Sequence, residues 1–133
     1  MDQKTLVTEQ IEDGNELINR FEKFAPLAAA FWLRPADSSR WSLYLVSEQI
    51  TNGNLQSGYG EMVRLAGELH NPDLILFRAN LIPADSPFAR AAIDACRYYP
   101  GGRTIDFGVK LFGDMAVEEA YFYPLPTCLS ATK

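Results

Sequence analysis

Arg78 and Asn80 stand two residues apart in the run Leu74-Ile75-Leu76-Phe77-Arg78-Ala79-Asn80-Leu81-Ile82, where every other residue is apolar. In an extended strand that spacing points both polar side chains to one face. Polar groups on such a strand must be hydrogen-bonded or lie on an uncovered face, which makes the pair the leading candidates for a ligand site. Arg34, Glu48 and Asp106 fall on other expected strands, as do Lys110, Glu118 and Glu119. On a shared open sheet face these carboxylates and guanidinium groups would suit a small polar ligand, and paired carboxylates also support acid–base chemistry or a metal ion. The pairing depends on strand order, which the sequence leaves open. The commoner fate of such residues is a solvated sheet face or a partnered buried charge.

His70 is the single histidine and so the one available imidazole base for a serine or cysteine nucleophile. It stands at an expected helix C-terminus before Asn71-Pro72, where the helix dipole alone favours an imidazolium. Cys96 lies on the inward stripe of another expected helix, where a thiol packs as a small apolar group. Cys128 sits in a proline-flanked tail with nothing basic beside it. The two cysteines lack Cys-x-x-Cys spacing, so neither a zinc site nor a dithiol motif is supported, and both are expected as free thiols. Pro100-Gly101-Gly102-Arg103 follows a helix and precedes a strand, the reverse of a phosphate cradle. Neither a dinucleotide nor a P-loop fingerprint occurs. No catalytic residue is assignable, and no cofactor or metal is expected.

A second set of candidates is aromatic. Trp32, Trp41, Tyr44, Tyr121 and Tyr123 all fall on expected hairpin strands. Exposed together they would form a patch suited to self-association or a protein partner. Packing across strands is the commoner reason for such residues.

The elements that must position these groups follow from periodicity. Ile11, Leu17, Ile18, Phe21 and Phe24 recur at helical spacing, with Gly14 setting the expected start and Pro26 the end. Ala29–Arg34 and Trp41–Ser47 flank a polar loop and form a hairpin, with Leu43 and Leu45 on the dry side. A second helix spans Tyr59–Leu69, and Leu74–Ile82 is a third strand expected at the centre of the sheet. Ser86-Pro87 offers an N-cap and first-turn proline for a third helix reaching about Tyr99. Ile105–Leu111 alternates as a strand, and Val117–Tyr123 returns beside it. The order is α-β-β-α-β-α-β-β. It predicts an α+β fold with one five-stranded mixed or antiparallel sheet and helices on one face.

Residues 1–133 read as a single domain with a loose tail from about 127. With 47% hydrophobic residues the chain can bury a core without a staple. A net charge of −5 and a pI near 4.8 argue against nucleic acid and anionic membranes as partners, and the basic residues never form a run of three. The polar start Met1-Asp2-Gln3-Lys4 is unlike a signal peptide, and no apolar stretch is long enough to span a bilayer. The expectation is a soluble cytoplasmic protein.

The stretches Ala29-Ala30-Phe31-Trp32-Leu33, Trp41-Ser42-Leu43-Tyr44-Leu45 and Val117-Glu118-Glu119-Ala120-Tyr121-Phe122-Tyr123 resemble a set of small uncharacterised bacterial proteins. The resemblance covers about a fifth of the chain and implies a bacterial origin, but carries no functional residue. The residues thus point first to a non-enzymatic binding or protein-interaction module, a homodimer or a protein-binding domain, using an open sheet face or the aromatic hairpins. The alternative is a small enzyme acting on a polar or phosphorylated metabolite through Arg78 with Asp106 or a nearby glutamate. A third reading has the acidic surface meeting a basic partner.

Overall fold

The computed structural model describes residues 8–69, 78–99 and 101–124. Within them the chain forms α1 (Thr8–Phe21), β1 (Ala29–Pro35), β2 (Ser42–Ser47), α2 (Leu55–Ala66), β3 (Ala79–Pro83), α3 (Pro87–Tyr98), β4 (Thr104–Phe112) and β5 (Met115–Phe122). This is the α+β order expected from periodicity. The five strands form one mixed sheet in the order β3-β2-β1-β5-β4. β2 and β3 are parallel, joined by the α2 crossover, and the remaining pairs are antiparallel.

The central strand is β1, not the segment ending at Ile82. Ala29 through Arg34 are all buried, as a strand covered on both sides must be. β3 is an edge strand of five residues, and Arg78 precedes it in a turn. Leu74–Phe77, the apolar run that suggested a central position, lies outside the described residues, as do His70 and Cys128.

The helices occupy both faces of the sheet, which corrects the expectation of one. Phe31 and Trp32 are consecutive in β1 and so point oppositely. Trp32 meets α1, where a methyl group added at Gly14 would lie 3.2 Å from the indole nitrogen. Phe31 meets α3, its ring 6.0 Å from that of Phe88. α2 shares the Trp32 side, because Gly58 backs onto Leu81, whose strand neighbour is Leu45. α1 and α2 thus cover one face and α3 the other. The physical reason is the unbroken apolar run of β1, which two uncovered faces could not bury.

Local signals explain the helix ends. The Ser86 hydroxyl accepts from the Ala89 amide at 3.2 Å, with Pro87 in the first turn. α1 is already helical at Thr8 and runs through Gly14, which is present for close approach rather than as a start signal. Trp32, Trp41, Phe21, Phe31, Phe112 and Phe122 are the bulkiest fully buried side chains, placed on both sides of the sheet.

Candidate functional site

The sheet order decides which candidate residues meet. Arg78 and Asn80 belong to the β3 edge and Asp106 to the β4 edge, with three strands between them. At the usual interstrand spacing of about 4.8 Å the two edges stand roughly 19 Å apart. Arg78 and Asp106 therefore do not converge. Glu48 is exposed in the turn after β2 rather than on a strand.

Each of these residues serves the local backbone. The Arg78 guanidinium donates to the Trp41 carbonyl at 3.4 Å. The Asn80 carboxamide donates to the carbonyls of Leu43 and Arg78, each at 3.3 Å, while the Leu43 amide donates to the Arg78 carbonyl at 2.7 Å. Asp106 accepts the Gly108 amide at 2.9 Å. Tyr59 closes the β3 edge, its hydroxyl accepting from the Leu81 amide at 3.0 Å.

Arg34 is buried and holds two carboxylates. Its Nη2 lies 2.9 Å from Glu119 and its Nη1 3.2 Å from Glu118, with Nη1 also donating to the Ser38 carbonyl at 2.9 Å. A bulge makes this possible. Arg34 pairs with Glu119 and Pro35 with Val117, so Glu118 is the extra residue of β5. Burial works to lower the Arg34 pKa, but Glu119 and Glu118 more than offset it and hold the guanidinium charged. The arrangement is a neutralised buried cation.

Four of the aromatic candidates are core residues. Trp32, Trp41, Tyr121 and Tyr123 are each less than a tenth exposed, and Tyr44 is half-buried against Phe31 and Phe88. Cross-strand packing, not a surface patch, accounts for them. Desolvation raises the pKa of Tyr44, Tyr121 and Tyr123. The free thiol expected at Cys96 is also corrected, because this sulfur is disulfide-bonded.

The most exposed large apolar side chains among the described residues lie elsewhere, along β4 and α3. Tyr98 is 79% exposed, and Val109 and Leu111 are each 64% exposed. Beside them Ala91, Asp94, Ala95, Tyr98 and Tyr99 of the α3 region face Lys110 and Leu111 across an open groove of about 600 Å³. That size lies within the range of natural binding clefts. Behind the groove an aromatic series runs inward from Tyr98 through Tyr99, Phe107, Phe112 and Phe88 to Phe31, with ring centroids 4.8–6.3 Å apart. It fixes α3 against the sheet, so the groove has a rigid floor.

β4 is the open edge of the sheet. It spans nine residues and is exposed over most of them, whereas β3 has five, ends in a proline and has its Leu81 amide satisfied. A bulge sets Phe107, Gly108 and Val109 against Glu118 alone, with Gly108 at φ +75°, a conformation suited to glycine. Among the described residues Asp94 and Lys110 make no ion pair.

A second cleft of about 430 Å³ separates the end of α1 from α2, lined by Arg20, Lys23, Phe24, Glu61, Arg64 and Leu65. Its charges are mostly spent on one another. Arg20 bridges Glu16 and Glu68, and Arg64 bridges Glu61 and Glu68. The Arg64 hydrogen bond lowers the Glu61 pKa, as expected of a structural pair. Among the described residues no group of three metal-ligating side chains is placed to hold an ion.

Sequence reasoning missed the α3–β4 groove because its two walls adjoin only through the sheet order. One signal was present: Val109 and Leu111 alternate with Lys110 on a strand beside two glycine turns, an apolar edge with little to cover it. No family model, curated protein or solved structure matches the chain.

Proposed function

We propose that this chain is a non-enzymatic protein-interaction module that engages its partner through the β4 edge and the groove between β4 and α3. The observation that carries the reading is the long open β4 edge, on which Val109 and Leu111 are exposed on the sheet face opposite α3, with exposed Tyr98 of α3 beside the other face. A long edge strand bearing apolar side chains is a liability unless something covers it. A partner strand adds main-chain hydrogen bonds at such an edge, and side chains then find neighbouring pockets. The enzyme alternative paired Arg78 with Asp106 or a nearby glutamate in one concave site, and Arg78 and Asp106 stand at opposite edges of the sheet.

The test is to replace Val109 and Leu111 together with aspartate. Both are exposed, so the thermal midpoint should stay within a few degrees of wild type. Complexes isolated from the source cells should lose their stoichiometric partner, or the chain its self-association, in native mass spectra. An unchanged complex with the doubly substituted protein would place the interface elsewhere.

A further inference from the structure

Cys96 carries a covalent bond that the groove does not use. Its sulfur is disulfide-bonded, and no free cysteine occurs among the described residues. The chain holds one other cysteine, Cys128. On α3 Cys96 belongs to the buried set with Ala89, Ala92 and Ile93, whereas Ala91, Asp94 and Tyr98 line the groove. At 3.6 residues per turn these sets stand on different sides of the helix, so Cys96 faces away from the groove. The course of the backbone brings the two cysteines within reach of each other. A methyl group at Gly101 would lie 3.1 Å from the Pro124 nitrogen and 3.2 Å from its Cα, and the Gly102 amide donates to the Phe122 carbonyl at 3.0 Å. The residues after α3 therefore lie against those that end β5. Cys96 stands one helical turn and two residues before Gly101, at most about 12 Å from it. From Pro124 the chain reaches Cys128 in four residues, a span of up to about 14 Å, and a disulfide bridges about 6 Å more between Cα atoms.

We infer that Cys96 is bonded to Cys128 of the same chain, and that this bridge straps the segment following β5 to the side of α3 away from the groove. The inference is independent of the interaction reading above. The bridge closes a loop that contains β4 and β5. The open edge strand is thereby tied down on both sides in sequence, by α3 ahead of it and by the strapped segment behind β5. A cross-link of this kind acts mainly on the unfolded chain, whose freedom it restricts. Its formation is an exchange with an oxidising protein disulfide. One cysteine thiolate attacks that disulfide to give a mixed disulfide, and the other cysteine then displaces the oxidant's sulfur, forming the Cys96–Cys128 bond. Two electrons and the two thiol protons end on the oxidant, which leaves as a dithiol.

The bridge is tested on the full chain taken from its source cells after acid quenching and alkylation of free thiols, then digested with trypsin without reductant. Cleavage after Arg90, Arg97 and Lys110 puts the two cysteines on separate peptides. The expected product is residues 91–97 joined to residues 111–133, from a chain that runs as a monomer on a non-reducing gel. Two copies of residues 91–97 joined to each other, a band of twice the mass that reduction removes, or alkylated Cys96 would each overturn the bridge. The strap is tested by amide hydrogen exchange of oxidised wild type, reduced wild type and Cys128→Ser. Exchange across residues 92–98 should accelerate severalfold in the second and third proteins alike, with α1 unchanged. Exchange there as slow as in oxidised wild type overturns the strap. So does equal acceleration in α1, which would report a global loss of stability, and the peptide map decides the bridge in either case.

Discussion

The Trp32 indole donates to the Tyr123 hydroxyl at 2.9 Å, and that hydroxyl donates to the Ile11 carbonyl at 2.7 Å, linking the central strand, the chain after β5 and α1 in one buried relay. Gly14 is what lets the helix come so close. A methyl group there would collide with the Tyr123 hydroxyl oxygen. Tyr123→Phe leaves the indole N–H without its partner and is expected to cost about 1–3 kcal/mol. Gly14→Ala should destabilise the wild type through that clash and cost markedly less in the Tyr123→Phe background, where the oxygen is gone. Urea unfolding of the four proteins measures this coupling. Strict additivity would mean that α1 approaches the sheet differently.

The buried phenols predict alkaline instability. Burial raises the Tyr123 pKa above its ordinary value of 10.0, opposed by the Trp32 hydrogen bond and assisted by Tyr121 and Asp13. A phenol whose folded pKa is raised keeps its proton longer in the native state. Its contribution to stability is therefore complete below about pH 10 and is lost as pH rises toward the folded value. Tyr44 and Tyr121 act in the same direction. Stability from chemical denaturation should fall above pH 10, less steeply in Tyr123→Phe than in wild type. A flat profile would indicate that these phenols reach solvent.

Arg34 is buried with its guanidinium spent on Glu118, Glu119 and the Ser38 carbonyl. Removing Arg34 takes the cation from two partly solvated carboxylates and leaves the Ser38 carbonyl without its donor, so Arg34→Ala should cost about 1–3 kcal/mol. Glu118→Gln should cost less than Glu119→Gln, because Glu118 is 37% exposed and Glu119 22%. Denaturation midpoints read the ranking directly. A neutral Arg34→Ala would be inconsistent with the burial of its guanidinium.

Cys96 should resist alkylation until the protein is reduced, since its sulfur is disulfide-bonded. Reduction is expected to lower stability by about 2–4 kcal/mol. Thiols are kept reduced in the cytoplasm, whereas a bonded cysteine is the usual product of an oxidising compartment. Alkylation after acid quenching of whole cells distinguishes the two. Modification of Cys96 without prior reduction would restore the free-thiol expectation.

Much of the fold was legible because periodicity is local. The Ser86-Pro87 helix start and the alternation from Ile105 onward need only their neighbours to be read. What escaped was sheet order, which is set by contacts between distant segments. The apolar run Leu74–Ile82 suggested a central strand in spite of Arg78 and Asn80, yet the better mark of the centre was the unbroken run Ala29–Leu33. The same non-locality hid the groove, whose walls at Tyr98 and Leu111 are joined only when α3 folds over the sheet beside β4. Gly14, read as a helix interruption, was a tertiary signal for the Tyr123 hydroxyl.

The α3–β4 edge is the proposed surface at which this chain meets its partner. The most direct measurement is amide hydrogen exchange of the chain in complexes isolated from the source cells, compared with the purified chain alone. Protection gained along Val109–Phe112 and at Asp94–Tyr98, and lost with the Val109→Asp, Leu111→Asp double substitution, is the predicted result. Protection centred on Arg78 and Asn80, or on Arg20, Lys23 and Arg64, would contradict it.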